Sequence, residues 1–249
     1  MEHVNVEVDN GIASLVLERG KVNALIGVVV DELFSALRTL EGDDRVRAII
    51  LTGRNRFFSF GFDIPEFITY PKERFTEFVV NFTDLYSYLF LYPKPVVAAL
   101  NGHAVAGGCM LAMACDRRVM VSGKAKISLN EISFGSSVFA GATEILRFQT
   151  GSKNAAEVLY SGAMYQAEDA QRIGLVDKAV EEEMLMRESV QAALPLAEKH
   201  TPAFKSIKRL LREPIVEGYR SREMASIEEF VDIWYSESTW ENLKGIQIR

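Results

Sequence analysis

Several absences in this 249-residue chain narrow its chemistry before any motif is read. Cysteine is scarce: only Cys109 and Cys115 occur, with three histidines, and no Cys/His cluster has metal-ligand spacing. No metal is therefore expected. The two cysteines share one apolar segment six residues apart, so on a helix they face different directions. They read as two buried thiols, not a disulfide. Basic charge is not in excess. With 28 Lys and Arg against 34 Asp and Glu the net charge is −6, which argues against nucleic acid or an anionic membrane as the main partner. A local basic patch for an anionic ligand remains compatible with that balance. No apolar run reaches membrane-spanning length. The first twenty residues, MEHVNVEVDNGIASLVLERG, read as strand, turn and strand around Asn10-Gly11, not as a signal peptide. A cytoplasmic location is the expectation. Internal repeats and low-complexity segments are also missing.

What is present is an ordinary globular composition, 48% hydrophobic and 25% charged, with length enough for a substantial core. Residues 2–8 and 12–18 predict a hairpin. Residues 27–40 carry Val30, Leu33, Phe34, Leu37 and Leu40 on a helical stripe that ends near Gly42. RAIILTG (47–53) is a short buried strand, followed by an aromatic loop, RNRFFSFGFDIPEF (54–67). An amphipathic helix is expected over 73–92. The segment 94–100 predicts a strand running straight into a helix through 101–115, with a further strand at 117–123 and a strand entering a loop over 126–135. Helical patterns recur at 153–161, 167–173, 182–199 and 203–212. Strands alternating with helices give an α/β core over 1–195, with a helical C-terminal region over 196–249. That region is amphipathic and aromatic, and its apolar surface asks for a partner surface.

Two glycine turns stand out. In NGHAVAGGCMLAMACD (101–116), Gly107-Gly108 opens a helix whose first N–H groups lack intrahelical partners. The dipole there favours negative charge, and the missing Cβ atoms let a ligand approach the backbone. The aromatic loop turns at Gly61 in the same way. Two such strand ends can form a two-donor oxyanion hole. Helix packing on a sheet accounts for a glycine corner equally well.

Taken together, FSFGFDI (58–64), KPVVAALNGHAVAGGCMLAMACD (94–116), VNAL (22–25) and SGAMYQAEDAQRIGLVDKAV (161–180) resemble the crotonase superfamily, the enoyl-CoA hydratase/isomerase group, over nearly the whole chain. The resemblance implies a spiral of ββα units with a C-terminal helical trimerisation region, and an acyl-CoA thioester substrate. It implies no cofactor apart from the coenzyme A of the substrate. By motif, the two oxyanion-hole amides fall on Phe62 and Gly107.

The corner also departs from the family hydratases. These carry GGGCE there, with a glutamate in the first helical turn, whereas this chain reads AGGCM and places Met110 at that position. The second hydratase glutamate has a counterpart in Glu131. Hydration shares its proton handling between two carboxylates, whereas moving a double bond from Δ3 to Δ2 needs one base and an oxyanion hole. The pattern therefore looks most like the monofunctional Δ3,Δ2-enoyl-CoA isomerase. A dienoyl-CoA isomerase would want a second acid after Glu131, and Ser136–Ala140 supplies none. Met110 and Phe139 would surround Glu131 with apolar groups and raise its pKa.

The resemblance also implies substrate contacts at Lys21, Val22, Ala24, Phe60, Gly61, Asp63, Ile64, Gly108, Met110, Asn130 and Phe139. Lys205, Lys208 and Arg209 are candidates for CoA phosphates or simply a solvated helix face. His103 reads as structural, and Ser136-Ser137 has no His or Asp placed to make a triad. A homotrimer or dimer of trimers is expected. Two alternatives stay open: another crotonase activity on an acyl-CoA (hydratase, decarboxylase or hydrolase), and a non-catalytic acyl-CoA-binding trimer.

Overall fold

In the computed structural model, which describes residues 1–246, the chain begins with the hairpin the sequence predicts. Asn10 and Gly11 take φ of 48° and 80°, the left-handed pair that matches strand twist, and join β1 (Val4–Asp9) to β2 (Ile12–Leu17). From β2 the sheet grows by parallel pairing through β3 (Ala48–Gly53), β5 (Val96–Leu100), β7 (Arg117–Val121) and β9 (Lys178–Val180), in the order β1-β2-β3-β5-β7-β9. The strands β3 and β5 are buried almost throughout, which is why they read as continuous apolar runs and not as alternating ones.

A second, three-stranded parallel sheet runs beside the first. It is built from β4 (Phe57–Ser59), β6 (His103–Val105) and β8 (Ile127–Ser128). The strands β3, β5 and β7 are each followed by a short one before the chain turns helical, the ββα spiral. This corrects one expectation: β5 does not run directly into a helix. The chain turns at Gly102, where a Cβ would sit 1.9 Å from the Arg56 carbonyl oxygen, and enters β6 first. Over 126–135, where a strand entering a loop is expected, the structure has the short β8 followed by a 3-10 turn over Glu131–Phe134.

The helices are α1 (Gly27–Glu41), α2 (Ile64–Phe67), α3 (Lys72–Leu91), α4 (Gly107–Ala114), α5 (Ala140–Ser161), α6 (Ala167–Arg172), α7 (Leu185–Ala197), α8 (Thr201–Trp234) and α9 (Glu237–Lys244). The periodicity predicts only the second part of α5. Its first part is anchored from afar, because Ala140 N–H donates to Ser226 Oγ at 2.9 Å and Gly141 N–H to Glu223 Oε2 at 2.7 Å, both on α8. Gly151 breaks the helix at φ 77°. The boundary expected at 195/196 falls within α7, and one apolar cluster runs from Val4 to Leu243 across it. Both cysteines are buried and free. Among the described residues no helix is long and apolar enough to cross a membrane.

The C-terminal region is tied down by charge as well as by packing. Asp116, just after α4, accepts Val96 N–H at 2.7 Å and pairs with Lys208 Nζ at 2.7 Å and Arg212 Nη2 at 3.0 Å. Arg212 also donates to the carbonyls of Phe90 and Ala114. The candidate assignment of Lys208 to CoA phosphates is therefore corrected: it is buried on Asp116. Lys205 and Arg209 are exposed, and Arg209 pairs with Glu213. Removing one partner of such a buried set strands the other charges. Asp116→Ala is expected to lower unfolding stability by about 3–5 kcal/mol, read from denaturant titration.

Candidate active site

The site is assembled where β4 and β6 end. Beyond β4, Gly61 takes φ 84°, a conformation that disfavours any side chain. A Cβ there would lie 2.8 Å from the Val105 carbonyl oxygen and 2.9 Å from the Gly107 nitrogen. Beyond β6, Ala106 takes φ 49° and ψ −120°, a conformation that costs a non-glycine residue about 1–3 kcal/mol. It is held there by its own N–H donating to Ser128 O at 2.8 Å and by its carbonyl accepting Met110 N–H at 2.9 Å. Helix α4 then starts at Gly107. At Gly108 a Cβ would come within 2.2 Å of the Ser59 carbonyl oxygen, so the first turn of α4 lies directly on the end of β4.

Two backbone donors result. Gly107, as the first residue of α4, has no intrahelical acceptor for its N–H. Phe62 makes a parallel bridge with Leu25, in which Leu25 N–H donates to Gly61 O and Asp63 N–H donates to Leu25 O. Those bonds use the residues on either side and turn the Phe62 N–H away from Leu25. The Phe62 ring does not obstruct the donors: it packs edge-to-face on Phe78 and Phe82, each at 4.9 Å, and lies under Gly107.

These elements wall a cavity of about 220 Å³. Phe60, Phe62, Ile64, Gly107, Met110, Asn130, Glu131 and Phe139 of the expected set all line it. Val105, Ala106, Phe134, Phe230, Trp234 and Ile246 complete the wall. Glu131 is the one titratable residue among these lining residues. It is only 6% exposed, and its Oε2 has no hydrogen-bond partner among the described residues. Burial pushes its carboxyl up to about 8, against a smaller opposing effect of its own backbone N–H. Met110, one turn into α4, presents a thioether in place of a second acid.

The remaining expected residues lie elsewhere. Gly61 and Gly108 are at backbone contacts and not in the cavity wall. Lys21, Val22, Ala24 and Asp63 line a separate shallow pocket of about 200 Å³ with Arg19, Gly20 and Pro65. Asp63 pairs with Arg19 Nη1 at 2.6 Å and accepts the Glu66 N–H that starts α2, so its carboxylate is already engaged. Lys21 is exposed. His103 stacks on Phe57 at the far end of β6, outside the cavity wall, with burial lowering its pKa.

Two contributors escape a reading of the sequence. Asn23, buried at φ 50°, donates through Nδ2 to the carbonyls of Phe57 and Arg54, while its own carbonyl accepts Ser59 Oγ at 2.8 Å. It thereby ties the VNAL segment to the aromatic loop. The only signal was an Asn in that segment, a residue type that tolerates φ > 0. Phe230 and Trp234 reach the cavity from the end of α8, and no local pattern places them there.

Comparison with known proteins agrees with this architecture. The human mitochondrial Δ3,Δ2-enoyl-CoA isomerase structure superposes with a TM-score of 0.93 at 26% identity, covering 98% of this chain and 96% of that one. A probable enoyl-CoA hydratase of Bacillus subtilis is 32% identical over 248 residues, 98% of this chain and 95% of that protein. The mitochondrial enoyl-CoA hydratase of Pongo abelii is 37% identical over 199 residues, which cover 76% of this chain and 64% of that protein. With residues 7–243 matching the family described as enoyl-CoA hydratase/isomerase, and with this fold beneath them, the chain belongs to that family.

Proposed function

We propose that the protein converts 3-enoyl-CoA thioesters to 2-enoyl-CoA, with Glu131 as the single base and the Phe62 and Gly107 amides as the oxyanion hole. The observation that carries this reading is one buried carboxylate in an otherwise apolar cavity, with Met110 where the family hydratases carry a second glutamate. Ionised Glu131 takes a proton from C2. The electron pair passes to the thioester oxygen, where two N–H groups stabilise the dienolate. The Glu131 carboxylic acid then returns a proton to C4. An apolar surround suits both halves of that task, because it keeps the proton affinity of the carboxylate high enough to take the proton and leaves no second acid to direct water at C3.

CoA enters as part of the substrate and no separate cofactor is invoked. Its pantetheine and nucleotide portions are assigned to the pocket of Lys21, Val22 and Ala24, with exposed Lys21 as the phosphate partner. Self-association as a trimer or dimer of trimers is assigned to the C-terminal region, where Ile207, Leu210 and Leu211 of α8 are exposed. The names of the sequence relatives favour hydration as the second reading. The lone carboxylate weighs against it.

The test is a product assay with 3-enoyl-CoA and, separately, 2-enoyl-CoA. Conjugated 2-enoyl product without 3-hydroxyacyl-CoA supports the isomerase, and 3-hydroxyacyl-CoA from 2-enoyl-CoA would replace it by the hydratase. Glu131→Gln is expected to lower kcat by roughly 10²–10⁴ with little change in KM. Because only the ionised carboxylate abstracts a proton, kcat/KM should rise with pH and level off above about 8. Stability moves the other way. A carboxyl raised from its ordinary 4.5 to about 8 on folding contributes stability that is complete below 4.5 and is lost as pH rises through 8. Thermal melts of Glu131→Gln should therefore gain on the unaltered protein between those two pH values.

A further inference from the structure

Glu131 belongs to the walls of two cavities. Behind the 3-10 turn lies a second crevice of about 260 Å³, lined by Leu129, Glu131, Ile132, Ser136, Ser137, Val138, Thr143, Leu159 and Tyr160. Only Glu131 is common to the two linings. The crevice borders the surface, where Tyr160 is 79% and Ile132 49% exposed.

The two crevices differ in chemistry. The substrate cavity is walled mainly by Phe60, Phe62, Ile64, Met110, Phe134, Phe139, Phe230 and Trp234. Apart from Glu131, the polar side-chain atoms in that wall are those of Asn130 and the Trp234 indole N–H, and an acyl chain filling the cavity displaces water from it. The second crevice carries four hydroxyl groups, those of Ser136, Ser137, Thr143 and Tyr160. Ser136 is buried, and its Oγ has no partner among the described residues, just as Glu131 Oε2 has none. The backbone places these two side by side in the fold, because Ser136 N–H donates to Glu131 O at 3.0 Å and closes the turn. Ser137 Oγ donates to Val138 O and Thr143 Oγ1 to Ala140 O, so both oxygens keep lone pairs free to accept from water. Buried polar atoms without protein partners, beside a polar crevice of this size, are where proteins hold ordered water.

We infer that Glu131 exchanges its proton with solvent through this second crevice while substrate occupies the first, with Ser136 as the positioning residue for the water chain. This rests on Glu131 being the base of the isomerisation. The C2–H bond breaks and the proton binds the carboxylate. The resulting acid exchanges that proton with crevice water, one for one. A solvent-derived proton then forms the new bond at C4. No net proton is gained or lost, and no other reactant is required.

The experiment runs 3-enoyl-CoA in D₂O and measures deuterium at C4 of the 2-enoyl product at low conversion, by mass spectrometry. The unaltered protein should place deuterium at C4. Ser136→Val should lower deuterium per product formed by roughly threefold or more, and Ser136→Thr, which keeps the hydroxyl, should restore it. Ser137→Leu, which narrows the crevice at a partly exposed position, should lower it as well, and serves if the buried substitution impairs folding. Turnover by the unaltered protein with no deuterium at C4 overturns the exchange route alone. So does incorporation that neither Ser136→Val nor Ser137→Leu reduces. Absence of turnover by the unaltered protein overturns the isomerase reading and this inference together.

Discussion

The site depends on how closely two backbones approach each other. The first turn of α4 lies against the end of β4 so tightly that a single methyl at position 108 would overlap the Ser59 carbonyl oxygen. That contact brings the Gly107 N–H beside the turn that presents the Phe62 N–H. It is reinforced by the left-handed Gly61, and it comes at the cost of an unfavourable Ala106 conformation, which two backbone hydrogen bonds hold in place. Side chains enter it only in support: the Asn23 amide and the Ser59 hydroxyl hold the loop that carries Gly61. In the proposed function these backbone donors are positioned before any ligand arrives, and such preorganisation is what gives oxyanion-hole donors their effect on a developing charge.

The acid–base half of the site obeys a different constraint. A carboxylate in an apolar wall is costly when ionised, and the cost appears as a raised pKa. Glu131 tolerates this position because its turn is short and internally bonded and because a hydroxyl-bearing crevice lies behind it. The apolar wall is itself largely a product of the C-terminal region. Phe230 and Trp234 pack at a tilt on Phe75 of α3, Phe230 meets Phe139 edge-to-face, and both line the cavity with Glu131. They are in place because α8 is clamped further upstream, where Lys208 and Arg212 converge on Asp116. The helix that carries Phe230 and Trp234 to the cavity is thus anchored by a buried salt-bridged cluster further along its length.

Much of this was legible along the chain, for local reasons. Asn10-Gly11 specifies its own turn, the apolar runs at β3 and β5 specify buried parallel strands, and the stripe on α1 specifies a helix face. Glu131 stood out with the corner motif because Met110 had displaced a second acid. Other features were not legible because their causes lie far away in sequence. The start of α5 has no local cap, and its N–H groups find Ser226 and Glu223 more than eighty residues on. The strands β6 and β8 are too short to show a period. Lys208 looked like a surface cation until Asp116 was seen beside it.

By itself, then, the sequence determined the hairpin, the parallel core strands, the glycines that permit close approach, the absence of an acid from the corner and the presence of Glu131 downstream of it. Each of these follows from the conformational freedom or side-chain chemistry of neighbouring residues. Only the tertiary structure decided that the Phe62 turn lies beside the start of α4 at Gly107, that Asn23 locks two distant loops, that Phe230 and Trp234 at the end of α8 line the cavity, and that Glu131 opens onto a second crevice. Those outcomes depend on distances between segments that share no local pattern. They are set by packing of the whole chain around one core.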